Sequence, residues 1–346
     1  MKLIVKNLFL SVLCGLLVCT VSACAPKKDK QADSYVSEGE SSAAQDSTEK
    51  ADDTEESFED RSESSEGSEE STAEESEDIM TDGDFGYILA EGVAQLCAYY
   101  GDDTVLDIPE ELGGNSVTAI TAGAFANNTS LLQINVGNSV VNVAEGAFSG
   151  CTALEKVSLG NGVAVVYASS FDACPALEEI EVSVANGSYS TVEGVLYTKD
   201  KSELVRCPQG LSAEEFVVPE GTSLVGNGAF RKCSGINAVV LPEGCELSSN
   251  AFFHCDNLRT FSFEGAVSTV PDYCFFGCVL LEEIALPEGV ECLGEYAFFG
   301  CVGLRKLSLP ATVTAISDTA FECCTGIEEA EVEGDCATEW YSNYQK

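Results

Sequence analysis

Ala297-Phe298-Phe299-Gly300-Cys301-Val302-Gly303-Leu304-Arg305-Lys306-Leu307-Ser308-Leu309-Pro310 is one copy of a unit that recurs, with variations, along a chain of 346 residues. The second residue of each copy is Phe125, Phe148, Phe171, Phe230, Phe252, Phe275, Phe298 or Phe321, at spacings of 23, 23, 59, 22, 23, 23 and 23. A fixed period in this range marks a solenoid. Counting from each Phe, the third position holds Asn128, Cys151, Cys174, Cys233, Cys255, Cys278, Cys301 and Cys324. The sixth, ninth and eleventh positions are almost always aliphatic, as in Leu304, Leu307 and Leu309. So is the fifth position before the Phe, from Ile120 and Val143 to Leu293 and Ile316. Most positions between them are polar or small. A coil built this way cannot bury its own apolar side chains, whereas stacked coils bury them in a shared column.

The end of each copy reads L-x-x-L-x-L, and its last two apolar positions alternate as in a strand. Strands of successive coils would pair in parallel about 4.8 Å apart. Pro219, Pro242, Pro287, Pro310, Gly137 and Gly160 then end the strand and turn the chain. The Ala-Phe-x-x-Cys part predicts a tight turn or short helix.

These residues resemble the BspA-like class of bacterial leucine-rich repeats, in which A-F-x-x-C-x-x-L-x-x-I-x-L-P recurs. The resemblance covers residues 85–340. It implies a leucine-rich-repeat solenoid with parallel β-strands on one face, short turns or helices opposite, and an N-terminal β-hairpin cap. The class includes surface adhesins and many proteins with no assigned partner, so it implies a fold more sharply than a function.

Ahead of the repeats, residues 1–23 read as a signal peptide, with Lys2 and Lys6 before the apolar segment Leu8 to Val18. Val21-Ser22-Ala23-Cys24 matches a lipobox, which makes Cys24 the expected lipidation site; an ordinary cleavage site before a Cys would use the same letters. Residues 24–83 are the expected linker. From Asp33 to Asp78 there are 19 Asp or Glu and 12 Ser, with Lys50 and Arg61 the cations. Such a stretch cannot offset its ordering entropy, and like charges extend it. It reads as a tether from the extracellular face of the cell membrane, with lipid as the chain's contact to that membrane.

The solenoid is expected over residues 84–346. Phe85 to Leu89 and Val93 to Tyr100 predict two strands joined by Ala90-Glu91-Gly92, ahead of a first repeat strand at Val105 to Ile108. The spacing of 59 between Phe171 and Phe230 is two coils plus 13 residues, with Cys207 in the missing Phe position. The excess falls in residues 183–212, where Gly194 to Tyr197 and Glu203 to Arg206 predict a hairpin projecting from the stack. Nine coils with a Phe or its replacement are expected, plus the first. Trp340 is expected to close the last.

The formal net charge is −41, and from residue 79 onward 38 acidic side chains face 10 basic ones. Nucleic-acid binding needs clustered Lys and Arg, so it is excluded as a function class. Anionic lipid surfaces are disfavoured for the same reason. The repeat cysteines read as small buried hydrophobes. No C-x-x-C pair occurs and His254 is the sole His, so neither zinc nor a Ser-His or Cys-His nucleophile is indicated. No catalytic, cofactor-binding or metal-ligating residues are expected. Glu178-Glu179, Glu282-Glu283 and Glu328-Glu329 imitate paired glycosidase carboxylates, but their recurrence at one repeat position fits a solvated sheet face.

Two surface features remain. Seven residues after each Phe stand Arg259, Glu282, Arg305 and Glu328, and beside them Glu283, Lys306 and Glu329. Opposite charges on neighbouring strands control register. The second feature lies one residue after the core Phe. Ala126, Ser149, Asp172, Arg231 and Glu322 stand there in other copies, but three successive copies carry Phe253, Phe276 and Phe299. Two residues before the core Phe, Tyr273 and Tyr296 replace Gly123, Gly146, Ser169 and Gly228. Stacked coils would gather these five rings into one strip, the predicted contact for a protein or glycan partner. Local packing of turns is the plainer reading of the same letters. The exposed sheet positions Lys156, Ser158, Ser262, Lys306 and Ser308 are secondary candidates. The sequence thus supports a cell-surface, lipid-anchored repeat scaffold of adhesin type. The alternative is a structural or accessory envelope lipoprotein without a host ligand.

Overall fold

A period of 23 residues returns the chain to the same point of each coil, so every coil lays its strand beside the one before. The computed structural model describes residues 78–344. The expected signal peptide, Cys24 and the acidic stretch up to residue 77 lie outside the described residues. Each regular coil contributes two short strands to two parallel ladders. The longer ladder contains Gln133–Asn135, Lys156–Leu159 and Glu179–Val182 in its first half. In its second half it runs from Ala213–Val217 to Glu329–Val332. Its register follows the repeat, with Glu179 opposite Lys156 and Leu307 opposite Ala330. Two-residue strands five positions ahead of the Phe form the second ladder, as in Val143 beside Val166 and Leu293 beside Ile316. The Ala-Phe-x-x-Cys segments are turns, apart from a 3-10 helix at Ala168–Phe171.

The repeat Phe residues stack inside. Phe125, Phe148 and Phe171 lie 5.1 and 5.7 Å apart, centroid to centroid. Phe230, Phe252, Phe275, Phe298 and Phe321 follow at 4.8, 5.3, 5.2 and 5.0 Å. Each such ring pair adds about 0.5–1.5 kcal/mol beyond the burial itself. The cysteines do more than fill space. Each thiol donates to the backbone carbonyl of the Phe in the preceding coil: Cys255 to Phe230 at 2.9 Å, Cys278 to Phe252 at 3.2 Å, Cys301 to Phe275 at 3.2 Å and Cys324 to Phe298 at 2.9 Å. The same carbonyls also accept the amide of their own coil's third residue, as Phe252 does from Cys255 at 3.2 Å. Both lone pairs of a buried carbonyl are thereby used. Burial holds the Cys255 and Cys301 thiols protonated, well above the ordinary thiol range.

Cys207 takes the missing Phe position. Its amide donates to Ala229 O at 2.8 Å, as Phe230's does to Ala251 O. Its carbonyl faces the Cys233 thiol at 3.5 Å.

Residues 183–212 depart from the sequence reading. The hairpin of Val195–Thr198 and Glu203–Arg206 is present and gains a third antiparallel strand, Tyr189–Val192. It does not project. Val195, Leu196, Tyr197 and Leu204 are buried, because the apolar side of the hairpin replaces the wall of a coil. Both ladders stop here, and the core divides into two clusters that meet at Val195 and Leu196. Arg206, only 1% exposed, spans the division. Its Nη1 donates to Gly228 O at 2.9 Å and its Nη2 to Phe171 O at 3.2 Å, with Asp172 Oδ1 at 3.4 Å.

At the N-terminal end, Phe85–Ala90 and Val93–Tyr99 pair antiparallel, and the second of them joins Asn115–Ile120 in parallel. A further strand, Met80–Asp82, pairs with Phe85–Ala90 through a turn at Gly83. The sequence reading leaves these three residues in the linker, since a short acidic strand carries no alternating pattern. At the other end, helix Asp335–Tyr344 sets Trp340 against Phe321 at 4.6 Å.

Candidate functional site

The five rings singled out in the sequence come together on the turn side of the C-terminal half. Their placement follows from the backbone. The carbonyl of each residue after the core Phe accepts an amide from the preceding coil: Lys232 to Phe253 at 2.8 Å, His254 to Phe276 at 2.7 Å and Gly277 to Phe299 at 2.8 Å. These bonds hold the coils at the strand spacing, which is also a ring-stacking distance. Phe253 and Phe276 stack at 4.9 Å and 8°, and Phe276 and Phe299 at 4.7 Å and 10°. Tyr273 and Tyr296 form a second row, 5.2 Å apart. Tyr296 meets Phe299 edge-on at 5.6 Å, and Tyr273 lies 5.8 Å from Phe276. All five rings are half-buried.

The tyrosines occupy backbone that favours glycine. Gly123, Gly146 and Gly228 have φ of 72°, 64° and 65° at this repeat position, and Tyr273 and Tyr296 keep φ of 57° and 55°. A left-handed residue with a side chain costs roughly 1–2 kcal/mol. Asn250 holds the same repeat position at φ 59°.

The strip is polar at its Phe253 end. The Arg231 guanidinium lies 4.6 Å over the Phe253 ring, a cation–π contact. His254 sits edge-on to Phe253 at 4.7 Å and to Phe276 at 5.5 Å, with its Nδ1 3.3 Å from Asp256. Its ring also covers Gly277, where an added Cβ would lie 2.7 Å from it. The sequence reading assigns His254 no partner and gives Arg231 only as one of the residues that follow the core Phe in other copies. Their adjacency to the Phe row was the signal available. Burial pushes the Tyr273 hydroxyl up, and the charges of Glu295 and Asp272 push the same way.

The sheet face is organised by charge. Arg259 pairs with Glu282 at 2.9 Å and Lys306 with Glu329 at 3.9 Å, in the rows read from the sequence. Lys156 is held by Glu179 at 3.0 Å and Glu181 at 2.8 Å, which removes it as an open contact. Lys306 and Ser308 line a shallow depression of about 480 Å³ with Glu283, Glu329 and Glu331. Among the described residues no group of His, Cys, Asp or Glu is arranged to hold a metal ion, and no helix is long and apolar enough to cross a membrane.

None of the curated proteins matches the chain. Several solved structures are similar to it. The pneumococcal vaccine antigen PcpA is 17% identical, with a TM-score of 0.50, over 75% of this chain and 88% of its own. A leucine rich cell surface protein from Faecalibacterium prausnitzii A2-165 is 20% identical, with a TM-score of 0.49, over 78% and 98%. A leucine-rich repeat protein from Eubacterium ventriosum is 17% identical, with a TM-score of 0.42, over 70% and 93%. The BspA type leucine rich repeat region, in 6 copies, matches residues 108–196 and 206–329, more than half of the chain. With its stacked coils, Phe column and cysteine ladder, the chain belongs to the BspA-type leucine-rich repeat family.

Proposed function

We propose that this protein is a lipid-anchored cell-surface scaffold, held by Cys24, whose solenoid binds a partner protein through the strip of Phe253, Tyr273, Phe276, Tyr296 and Phe299. The observation that carries the reading is the pair of tyrosines held in left-handed backbone beside stacked, half-exposed rings. Three other coils use glycine there and one uses Asn250, at φ 59°, a residue type that tolerates this backbone, whereas a bulky ring gains nothing for the turn itself. The stacked rings turn their edges outward, because their faces lie against each other at 4.7–4.9 Å. Sugars stack on ring faces, so the geometry favours apolar side chains of a protein over a glycan. Aromatic residues are enriched at the centres of protein interfaces.

The test is capture from extracellular-matrix and envelope fractions, using the whole protein and a variant with Phe253→Ser, Phe276→Ser and Phe299→Ser. Proteins retained by the parent and lost by a folded triple variant support the strip. Equal capture by both removes it, and capture of nothing by either favours a purely structural envelope role. For the anchor, Cys24→Ser should release the protein from the membrane fraction, and a membrane-bound variant would refute lipidation there.

A further inference from the structure

The longer strand ladder is interrupted once along the described solenoid, and the interruption leaves an open strand edge. By repeat position, Ile180 in Glu179–Val182 and Phe216 in Ala213–Val217 are equivalents, nine residues after Phe171 and Cys207. Their strands nevertheless end separate sheets. The two coils still touch where the Gly210 amide donates to Leu177 O at 2.7 Å, and then they part. On one side the gap is closed by the inserted turn, whose Gly194 O accepts the Ile180 amide at 2.9 Å. Strand Ala213–Val217 pairs along one edge with Ile236–Leu241. Its other edge faces a cavity of about 440 Å³, lined by Ala213, Glu215, Phe216 and Val217 and, across from them, Val192 and Tyr197. A second cavity of about 440 Å³ shares Glu193, Leu211 and Ser212 with the first and continues past Glu178 and Glu179.

We propose that this trough is a binding site for an extended, basic segment of a partner protein, which adds as a strand to the open edge of Ala213–Val217. Strand addition takes its affinity from main-chain hydrogen bonds and its selectivity from alternate side chains. The lining supplies both kinds of contact. Val217 is 56% exposed, and the half-buried Val192 and Phe216 offer an apolar floor. The charged residues lining the two cavities, Glu178, Glu179, Glu193 and Glu215, are all acidic; Glu179 is already paired with Lys156 at 3.0 Å, and Glu214 is exposed on the same strand as Glu215. That charge repels this chain's own acidic linker and a second copy of the chain, each strongly negative, and it attracts Lys or Arg on a partner. The site stands apart from the aromatic strip and does not depend on it.

Fluorescence anisotropy of a labelled Lys-Val-Lys-Val-Lys-Val-Lys peptide with the whole protein tests the proposal. Two control peptides carry Glu in place of Lys, or N-methyl groups on alternate amides. Binding of the basic peptide should fall about tenfold or more with either control and with Glu214→Lys plus Glu215→Lys, a change of one decade in Kd. It should be unchanged by the triple Phe→Ser variant of the strip, so the two sites are told apart. Equal binding of the N-methylated peptide would reduce the contact to charge alone and overturn strand addition. Loss of binding in the strip variant would assign the peptide elsewhere and overturn the site. Absence of binding would show that the acids guard this edge against pairing, which also overturns it.

Discussion

Replacing Arg206 by alanine should uncouple the two halves of the solenoid. The side chain is 1% exposed and joins the coils of Phe171 and Phe230 through carbonyl contacts at 3.2 and 2.9 Å. Asp172 lies 3.4 Å away and is itself 24% exposed, with Arg231 at 3.6 Å as a second partner. Asp172 therefore keeps some compensation when Arg206 is lost, and Gly228 O keeps the Arg231 amide at 3.0 Å, whereas Phe171 O loses the guanidinium as its donor. A buried acceptor left without a donor costs about 1–3 kcal/mol. Breaking a buried ion pair costs about 3–5 kcal/mol. The expected loss is about 3–5 kcal/mol, which lowers Tm by roughly 10 °C in a domain of this size. Arg206→Met fills more of the space without a donor and should lose less than the alanine variant. Urea unfolding can be followed by far-UV circular dichroism and by the fluorescence of Trp340, the sole tryptophan, which packs on Phe321 in the C-terminal half. Coincident curves in the parent should separate in the variant, since the Arg206 contacts bridge the two core clusters. A loss below about 1 kcal/mol with curves still coincident would refute the reasoning, because the guanidinium's desolvation would then cancel its contacts.

Tyr296→Gly should leave stability within about 1 kcal/mol of the parent, since relief of left-handed strain opposes the lost stacking on Tyr273. A thermal melt showing a larger loss would mean that the tyrosine is there for packing. Alkaline pH should destabilise the fold. In the unfolded chain thiols ionise near pH 8.5, about 8.5 being the ordinary value, while burial keeps Cys255 and Cys301 protonated in the fold. Stability is therefore full below that pH and falls above it, by about 1.4 kcal/mol per pH unit for each such thiol. A flat denaturation midpoint between pH 8 and 10, as measured by urea titration, would contradict this, taking about two units as the window. Arg259→Glu should cost about 0.2–1 kcal/mol against Glu282 at low salt, and adding Glu282→Arg should restore it; a double variant as weak as the single would show no register role for the row.

Much of this architecture was legible because a solenoid is quasi-one-dimensional. The spacing of 23 between Phe residues states which residues will be neighbours, so the Phe column, the strand register and the Arg259–Glu282 pair follow from counting. The aromatic strip was legible for the same reason: Phe253, Phe276 and Phe299 share one repeat position, and the next coil must bring them together. Even Cys207 could be placed by its phase. Counting fails where the period breaks. Residues 183–212 have no copy to be aligned with, and their burial depends on which side of the hairpin meets the core.

Periodicity, then, determined the coil, its inward face and the rows on its surface, because each is a local relation repeated at a fixed interval. Tertiary structure decided what happens between rows and at the interruption. Only in three dimensions do the thiols of one coil meet the Phe carbonyls of the one before, and does Arg206 bridge two cores. The open edge of Ala213–Val217 is of the same kind, since an unpaired strand is defined by the neighbour it lacks, and no spacing in the sequence records that.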